Sequence, residues 1–313
     1  MSFMSKLRTL GILSVIPFFF LNCNAPYYYQ QDLQGVEKTI ALTVNFLPPD
    51  QPISTNNLAR ALSDATSVSI KAFDSTRSVL LNGLGQSEIQ LSNVSPGVWK
   101  GTMTLPTATG TVTFLALAWN SSSQIVAQGN QSVVVENTTS VSGFTMSSTF
   151  ALRDFAPGGG WIFYDKGAYS DEWRYLEVGP QDIGYTIWGG SGTAIGSTAQ
   201  NAAIGNGQAS TNAIIAMLGS GTYAAKICDD STLNGCSDWF LPSKNELLTV
   251  GDQLWIFGEL GGFDTWDSYW TSTEYNVTPT TKAATVGFLE GMGVNNLVDS
   301  KTIQYYVRPV RDL

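Results

Sequence analysis

The sequence predicts a mainly β N-terminal sandwich followed by an α+β domain, and three observations lead there. From about residue 38 to 150, short apolar–polar alternations of period two recur between turn residues, the pattern of half-buried strands. The alternation stops at Ala156-Pro157-Gly158-Gly159-Gly160, where no regular element can continue easily. Beyond that break the composition changes. Seven of the nine tryptophans lie there, and residues 153–313 hold nine basic against eighteen acidic side chains, so the whole net charge of −9 belongs to this part.

In chain order, residues 1–22 read as a secretory signal. Lys6 and Arg8 give a basic start, and Leu10 to Leu21 form an apolar run of h-region length. It ends in Phe20-Leu21-Asn22-Cys23, which resembles a relaxed bacterial lipobox and implies that Cys23 is lipidated; an ordinary cleaved signal with an incidental cysteine is the alternative. Asn22 stands where Gly or Ala is usual. Several acyl chains would hold the protein firmly at a membrane, whereas one binds only marginally. Nothing after Cys23 approaches the ~18 apolar residues of a spanning helix, so the expectation is a tethered protein. Asn24 lacks the aspartate that in many bacteria marks inner-membrane retention, which points to the outer membrane and the cell surface.

Residues 23–37 have no periodicity and serve as a tether. Strands are expected at 39–44, 67–73, 88–91, 98–105, 111–119, 124–128, 131–135 and 140–146, with a hairpin loop at Asn120-Ser121-Ser122-Ser123. So many short strands over 38–150 are the signature of an immunoglobulin-like sandwich, here without the cysteine pair of antibody domains. Trp99 and Trp119 are expected as core anchors.

In residues 157–313, 160–164 and 173–178 read as a strand pair, and Gly189 to Gly207 as a long loop. A short helix is expected at 210–218, capped by Ser210 or Thr211, and another turn at 223–228. Ser243 followed by Glu246 is a capping box, and Pro242 fixes the helix entry, so a helix is expected from Lys244 to about Phe257. Closing strands are expected at 269–273, 284–290 and 303–310. Few helices among many strands make this part α+β.

Only 13% of residues are charged, against roughly 25% in an average soluble protein, which suits an extracytoplasmic β-rich chain. There is no histidine, which excludes Ser-His-Asp and Cys-His catalysis and every His-ligated metal site. Cys228 and Cys236 form a disulfide in an oxidising compartment or remain two buried free thiols; sequence leaves both open.

Four blocks occur in order: Gly159-Gly160-Trp161-Ile162-Phe163-Tyr164, Asp238-Trp239-Phe240-Leu241-Pro242-Ser243-Lys244-Asn245-Glu246-Leu247, Tyr269-Trp270-Thr271-Ser272-Thr273-Glu274 and Val307-Arg308-Pro309-Val310-Arg311. Together, over about 157–313, they resemble the Lcl C-terminal domain family, named for the end domain of a bacterial collagen-like adhesin. The resemblance implies a fold similar to C-type-lectin-like domains and to the formylglycine-generating enzyme. It also implies surface display and adhesion, sometimes to sulfated glycans. No collagen-like repeat is present, and net −9 opposes polyanion binding. Formylglycine-type oxidation needs a suitably placed cysteine pair and copper, and the Cys-x7-Cys spacing looks structural. An enzyme is not expected.

The function expected is that of a lipid-anchored adhesin or binding module for a glycan or a host or matrix protein. A structural envelope lipoprotein without ligand is the alternative. No nucleic-acid partner is expected, and oligomeric state is not legible. In a lectin-like fold ligands meet irregular loops, which nominates Trp188 in one, Asp264, Trp266 and Asp267 in a second, and Asn295, Asn296 and Asp299 in a third polar stretch. Tryptophan faces stack on sugar rings, and Asp or Asn can hydrogen-bond hydroxyls or hold Ca2+. No run matches an EF-hand loop, so no cofactor or metal is assigned.

Overall fold

Alternation along strand β2 (Ser67–Phe73) explains the architecture best, because both of its faces are buried. Val68, Ile70 and Ala72 enter one core, while Ser69, Lys71 and Phe73 turn the other way and are covered as well. Its neighbour β6 (Thr111–Trp119) repeats this, with Phe114 and Ala116 on one side and Leu115 and Leu117 on the other. A strand buried on both faces reads as a continuous apolar run, as Phe114 to Trp119 does.

The protein is seen in a computed structural model that describes residues 37–45, 64–106, 109–256, 260–289 and 293–313. The expected signal peptide, Cys23 and almost all of the expected tether lie outside the described residues. The structure is mainly β, with 42% of the described residues in strands and 16% in helices, arranged in several sheets.

The N-terminal half consists of two four-stranded sheets around one core. The first joins β4 (Ser92–Ser95), β5 (Val98–Pro106), β1 (Glu37–Asn45) and β8 (Ser140–Val141), in that order. The second joins β3 (Glu88–Gln90), β2, β6 and β7 (Ile125–Val134). Ile40 and Leu42 of β1 meet Ile70 and Phe114 of the opposite sheet inside this core. Trp99 is part of it, as expected, whereas Trp119 lies on the outer face and donates from Nε1 to Ser69 Oγ at 2.8 Å. The hairpin loop forms at Asn120, whose Oδ1 accepts the Ser122 and Gln124 amides. Expected strands 124–128 and 131–135 are one continuous strand, and 140–146 shortens to two residues.

The C-terminal half carries a three-stranded sheet, ordered β16 (Val310–Asp312), β10 (Trp173–Val178), β9 (Trp161–Ser170). A five-stranded sheet follows the order β11 (Gly184–Ile187), β15 (Gln304–Val307), β12 (Ser268–Glu274), β13 (Lys282–Leu289), β14 (Gly293–Ser300). The expected closing strand 303–310 is two strands, because the chain changes sheets at Arg308-Pro309. Strands β11 and β14 were not legible as strands in the sequence.

Among the described residues the α-helices are α1 (Ser197–Gln200), α2 (Gly207–Leu218), α3 (Ala224–Asp229) and α4 (Lys244–Val250). The capping box at α4 is formed: the Glu246 amide donates to Ser243 Oγ at 3.3 Å, and the Ser243 amide donates to Glu246 Oε2 at 2.7 Å. The helix ends earlier than expected and continues as a π-helical turn, Gly251–Trp255. Neither Ser210 nor Thr211 caps α2. Both lie inside the helix and are buried, and Thr211 Oγ1 bonds the Leu241 backbone instead.

The expected break at 152–160 is a seam between the halves. Asp74 Oδ1 accepts the Thr76 and Ser78 amides, and this turn presents Arg77 with φ +66°. The Arg77 guanidinium stacks on Phe155 and Trp161, 4.3 and 4.0 Å from their centroids, and donates to the Gly160 carbonyl at 2.6 Å. Burial pushes its pKa down to about 10, partly offset by the Glu177 charge. From the other side Asn234, at φ +53°, accepts the Val79 amide at 2.9 Å and donates to the Arg77 and Gly158 carbonyls at 2.8 and 2.7 Å. Asparagine tolerates that left-handed backbone better than most residues. Glu177 is fully buried and accepts the Gly158 and Gly160 amides at 3.0 and 2.9 Å. A Cβ on Gly160 would lie inside the Val178 carbonyl, so glycine is required there.

The disulfide reading is corrected here: Cys228 and Cys236 are both free and buried. Helix α3 commits Cys228 to a core with Trp188 and Trp270. Cys236 instead follows the Asn234 turn to the seam, where Lys71 Nζ approaches its sulfur at 3.7 Å. Burial raises both thiol pKa values, that of Cys228 strongly.

Asn234→Ala removes two hydrogen bonds across the seam and a third to Gly158, and leaves the Val79 amide without this acceptor. A loss of about 2–4 kcal/mol is expected. Chemical denaturation followed by tryptophan fluorescence and far-UV circular dichroism checks it. In the parent protein the two probes should coincide, and an unchanged midpoint in the variant would contradict the interlock.

Candidate functional site

Where the chain crosses from β15 to β16, Arg308 is left inside the protein, 1% exposed. Five donors on a planar guanidinium allow it to tie several loops at once. Its Nε donates to Asp182 Oδ1 at 2.6 Å, Nη1 to the Gly179 and Gly261 carbonyls at 3.2 and 2.7 Å, and Nη2 to the Gly262 carbonyl at 3.2 Å. The guanidinium carbon lies 4.2 Å from the Phe263 ring centroid. The start of the 260–267 loop is therefore clamped from below.

The clamp continues through Tyr269, whose hydroxyl donates to Asp182 Oδ2 at 3.0 Å and accepts the Asp264 amide at 2.6 Å. Burial, reinforced by the Asp182 charge, holds that phenol well above the usual tyrosine range. Asp264 then closes its own turn, Oδ1 accepting the Trp266 and Asp267 amides at 2.8 and 2.9 Å. Asp267 Oδ1 accepts the Ser268 amide at 2.7 Å, and its Oδ2 accepts the Tyr185 hydroxyl at 2.8 Å. The outcome is Trp266 at 86% exposure on a backbone fixed at both sides.

Two tyrosines widen this aromatic surface. Tyr185 of β11 and Tyr306 of β15 are register partners, with ring centroids 4.9 Å apart and an edge-on arrangement. Tyr306 lies 5.5 Å from Tyr269, which links the surface to the Phe263–Phe288 core pair. Hydrogen bonding to Asp267, then burial, raises the Tyr185 pKa; the Asp264 charge is the first cause of the raised Tyr306 pKa. The carboxylates make the electrostatic field here negative.

Of the residues nominated from sequence, Asp264, Trp266 and Asp267 come together in this loop. Trp188 does not. It is fully buried, its Nε1 donating to the Thr271 carbonyl at 2.8 Å while Lys301 Nζ sits 4.3 Å from its ring centroid. Nor are Asn295, Asn296 and Asp299 in a loop, because β14 carries them at the opposite edge of the sheet from β11. Asn295 is half-buried and Asn296 exposed, and Asp299 Oδ2 accepts the Tyr305 hydroxyl at 2.9 Å. Tyr185 and Tyr306 were missed. Their signal was present, since Tyr185 and the pair Tyr305-Tyr306 lie in short β-prone runs, but only the β11–β15 register joins them.

Among the described residues, other ionisable groups that are buried are consumed internally. Glu274 and Lys301 form a fully buried pair at 2.7 Å, and Glu274 also accepts the Ile195 and Gly196 amides at 2.8 and 3.2 Å. Burial opposes the Glu274 charge, but the Lys301 ammonium and these donors outweigh it and hold the carboxyl below its usual range. Burial lowers the Lys301 pKa, opposed by the Glu274 carboxylate at 2.7 Å. Among the described residues no group of three or more Cys, Asp or Glu could hold a metal ion, and no helix is long and apolar enough to cross a membrane. What the arrangement offers chemically is an aromatic and acidic surface on a hydrogen-bonded loop.

No protein-family model matches this chain, and no curated protein matches it in sequence.

Arg308→Leu strands Asp182 and the Gly179, Gly261 and Gly262 carbonyls. Breaking such a buried pair is expected to cost about 3–5 kcal/mol. Hydrogen exchange should show faster exchange of the Trp266 and Asp267 amides, and unchanged protection of these two amides would refute the clamp.

Proposed function

We propose that this protein is a lipid-anchored bacterial surface protein that acts as an adhesin or binding module, with the Trp266 surface as its contact. The observation that carries this reading is an 86%-exposed tryptophan on a loop held by a buried arginine. Leaving a large aromatic in water is unfavourable, and ordering the loop beneath it costs conformational entropy. Both costs make sense where the side chain is covered by a ligand, since tryptophan is over-represented among the residues that dominate binding energy.

The finer fold reading belongs here too. Two four-stranded sheets around one core support an immunoglobulin-like sandwich over 38–150. Over 157–313, the paired sheets, the long loops and the four sequence blocks support a domain of the Lcl C-terminal, C-type-lectin-like kind. The basic and apolar leader with Cys23 supports lipidation, and Asn24 an outer-membrane, surface-exposed address. Non-enzymatic action accords with a chain without histidine whose buried carboxylates are all engaged by the fold. A glycan or a host or matrix protein is the ligand class this reading admits. The rival reading, a structural envelope lipoprotein, draws on the tight seam between the halves.

Trp266→Ala is expected to leave the melting temperature unchanged and to weaken binding of cells or purified protein to extracellular-matrix or glycan surfaces by tenfold or more. Equal binding by parent and variant would reject this surface as the contact. Mass spectrometry of the mature N-terminus should find an acylated Cys23, and an unmodified cysteine would end the anchor claim.

A further inference from the structure

Resting on the binding role of the Trp266 surface, we infer that its ligand is a basic protein segment, and that a Lys or Arg side chain of that segment seats against Trp266, Tyr185 and Tyr306 beside Asp264 and Asp267.

Three features select this chemistry. First, the aromatic faces are available: Trp266 is 86% and Tyr185 47% exposed, and an aromatic face attracts a cation through its quadrupole. Second, the carboxylates keep their charge uncompensated. Asp182 is neutralised by Arg308 at 2.6 Å, but among the described residues no Lys or Arg pairs with Asp264 or Asp267. Their hydrogen bonds come from backbone amides and the Tyr185 and Tyr306 hydroxyls, which orient the carboxylates without cancelling them.

Third, the polar inventory disfavours the other ligands. Recognition of sugar hydroxyls draws on several donors as well as acceptors, whereas here the Tyr185 hydroxyl is already committed to Asp267 and the carboxylates only accept, which leaves few donors beside the exposed Trp266 indole N–H. A sulfated or otherwise anionic ligand meets carboxylates within the roughly 8 Å over which charges act at physiological salt. The raised pKa values of Tyr185 and Tyr306 accord with the same negative field. Charge complementarity extends beyond the loop, because the entire net charge of −9 lies in this half of the chain.

The test uses the purified full-length mature protein and an immobilised lysine-rich peptide, the same peptide Nε-acetylated, and heparin. Acetylation removes the cation and keeps the chain. Expected is at least tenfold preference for the unmodified peptide, falling as salt rises, with no heparin binding. The double variant Asp264→Asn/Asp267→Asn keeps the Oδ1 acceptors that hold the loop and removes both charges; it should bind the peptide about tenfold more weakly at unchanged melting temperature. Equal binding of both peptides, preference for heparin, or full binding by the double variant overturns the inference. If matrix or glycan binding is lost in Trp266→Ala while the lysine peptide is not preferred, the surface stands and only the ligand class is wrong. If Trp266→Ala changes no binding at all, the surface itself falls, and the inference with it.

Discussion

Arg308 occupies the one place where the chain must leave the five-stranded sheet at Val307 and enter the three-stranded sheet at Val310, and it does so inside the protein. A charge in that position is strongly unfavourable unless every donor is used. Asp182 supplies the counter-charge, and three glycine carbonyls fill most of the fork. The same bonds join three separate segments: Gly179–Asp182 after β10, Gly261–Gly262 before β12, and the crossover itself. Phe263 covers the guanidinium face, and Tyr269 passes the Asp182 contact on to Asp264. The exposed loop therefore takes its place from a buried ion pair beneath it and its shape from the Asp264 turn within it. Pro309 gives up an amide at this crossover, while its carbonyl still accepts Gly179 at 2.8 Å.

Elsewhere the fold solves the same problem with carboxylates. The segments 158–160 and 189–207 are rich in glycine and have few apolar side chains to pin them. Glu177 holds the first through the Gly158 and Gly160 amides. Glu246 holds the end of the second through Gly205 and Gly207, at 2.8 and 3.2 Å, besides closing the capping box. Glu274 holds its middle through Ile195 and Gly196. The environments differ in which effect wins. For Glu177 and Glu246 burial prevails over the donors and pushes the pKa up. For Glu274 the Lys301 ammonium at 2.7 Å reverses the balance. Each carboxylate satisfies backbone donors that would otherwise be buried without partners.

Much of this was legible in local sequence. The period-two strands of the N-terminal half, the Asn120 hairpin and the Ser243–Glu246 box all depend on residues a few positions apart. So does the Asp264-Thr265-Trp266-Asp267 turn, which is why that loop could be nominated from sequence. Contacts between distant residues were not legible. Trp188 looked like a loop aromatic because Gly189 and Gly190 follow it, yet α3 and β12 close over it. Asn295 and Asn296 looked like loop residues because polar side chains are depleted in strands; they are tolerated on β14 because that strand is a sheet edge. The cysteines were close in sequence, but the left-handed turn at Asn234 directs Cys236 to the seam and α3 directs Cys228 inward.

The distribution of charge between the halves follows from the doubly covered β2–β6 sheet. The N-terminal half is balanced in charge, but it places two of its cations, Lys71 and Arg77, where the acidic half packs against it. Lys71 donates to the Pro157 carbonyl at 3.2 Å, and both cations act on the buried Glu177 charge. Arg311 approaches Glu177 from the other side at 3.4 Å while holding Asp238 at 2.6 Å. Three cations, Lys71, Arg77 and Arg311, thus surround the Glu177 carboxylate, with Asp238 at the rim. The excess of acidic groups in the C-terminal half must consequently appear on surfaces that lack such cations. The Trp266 loop is one, since among the described residues Asp264 and Asp267 meet only neutral donors. Packing of the sandwich against the second half therefore does more than stabilise the pair: it uses cations at the seam and leaves the aromatic surface negative.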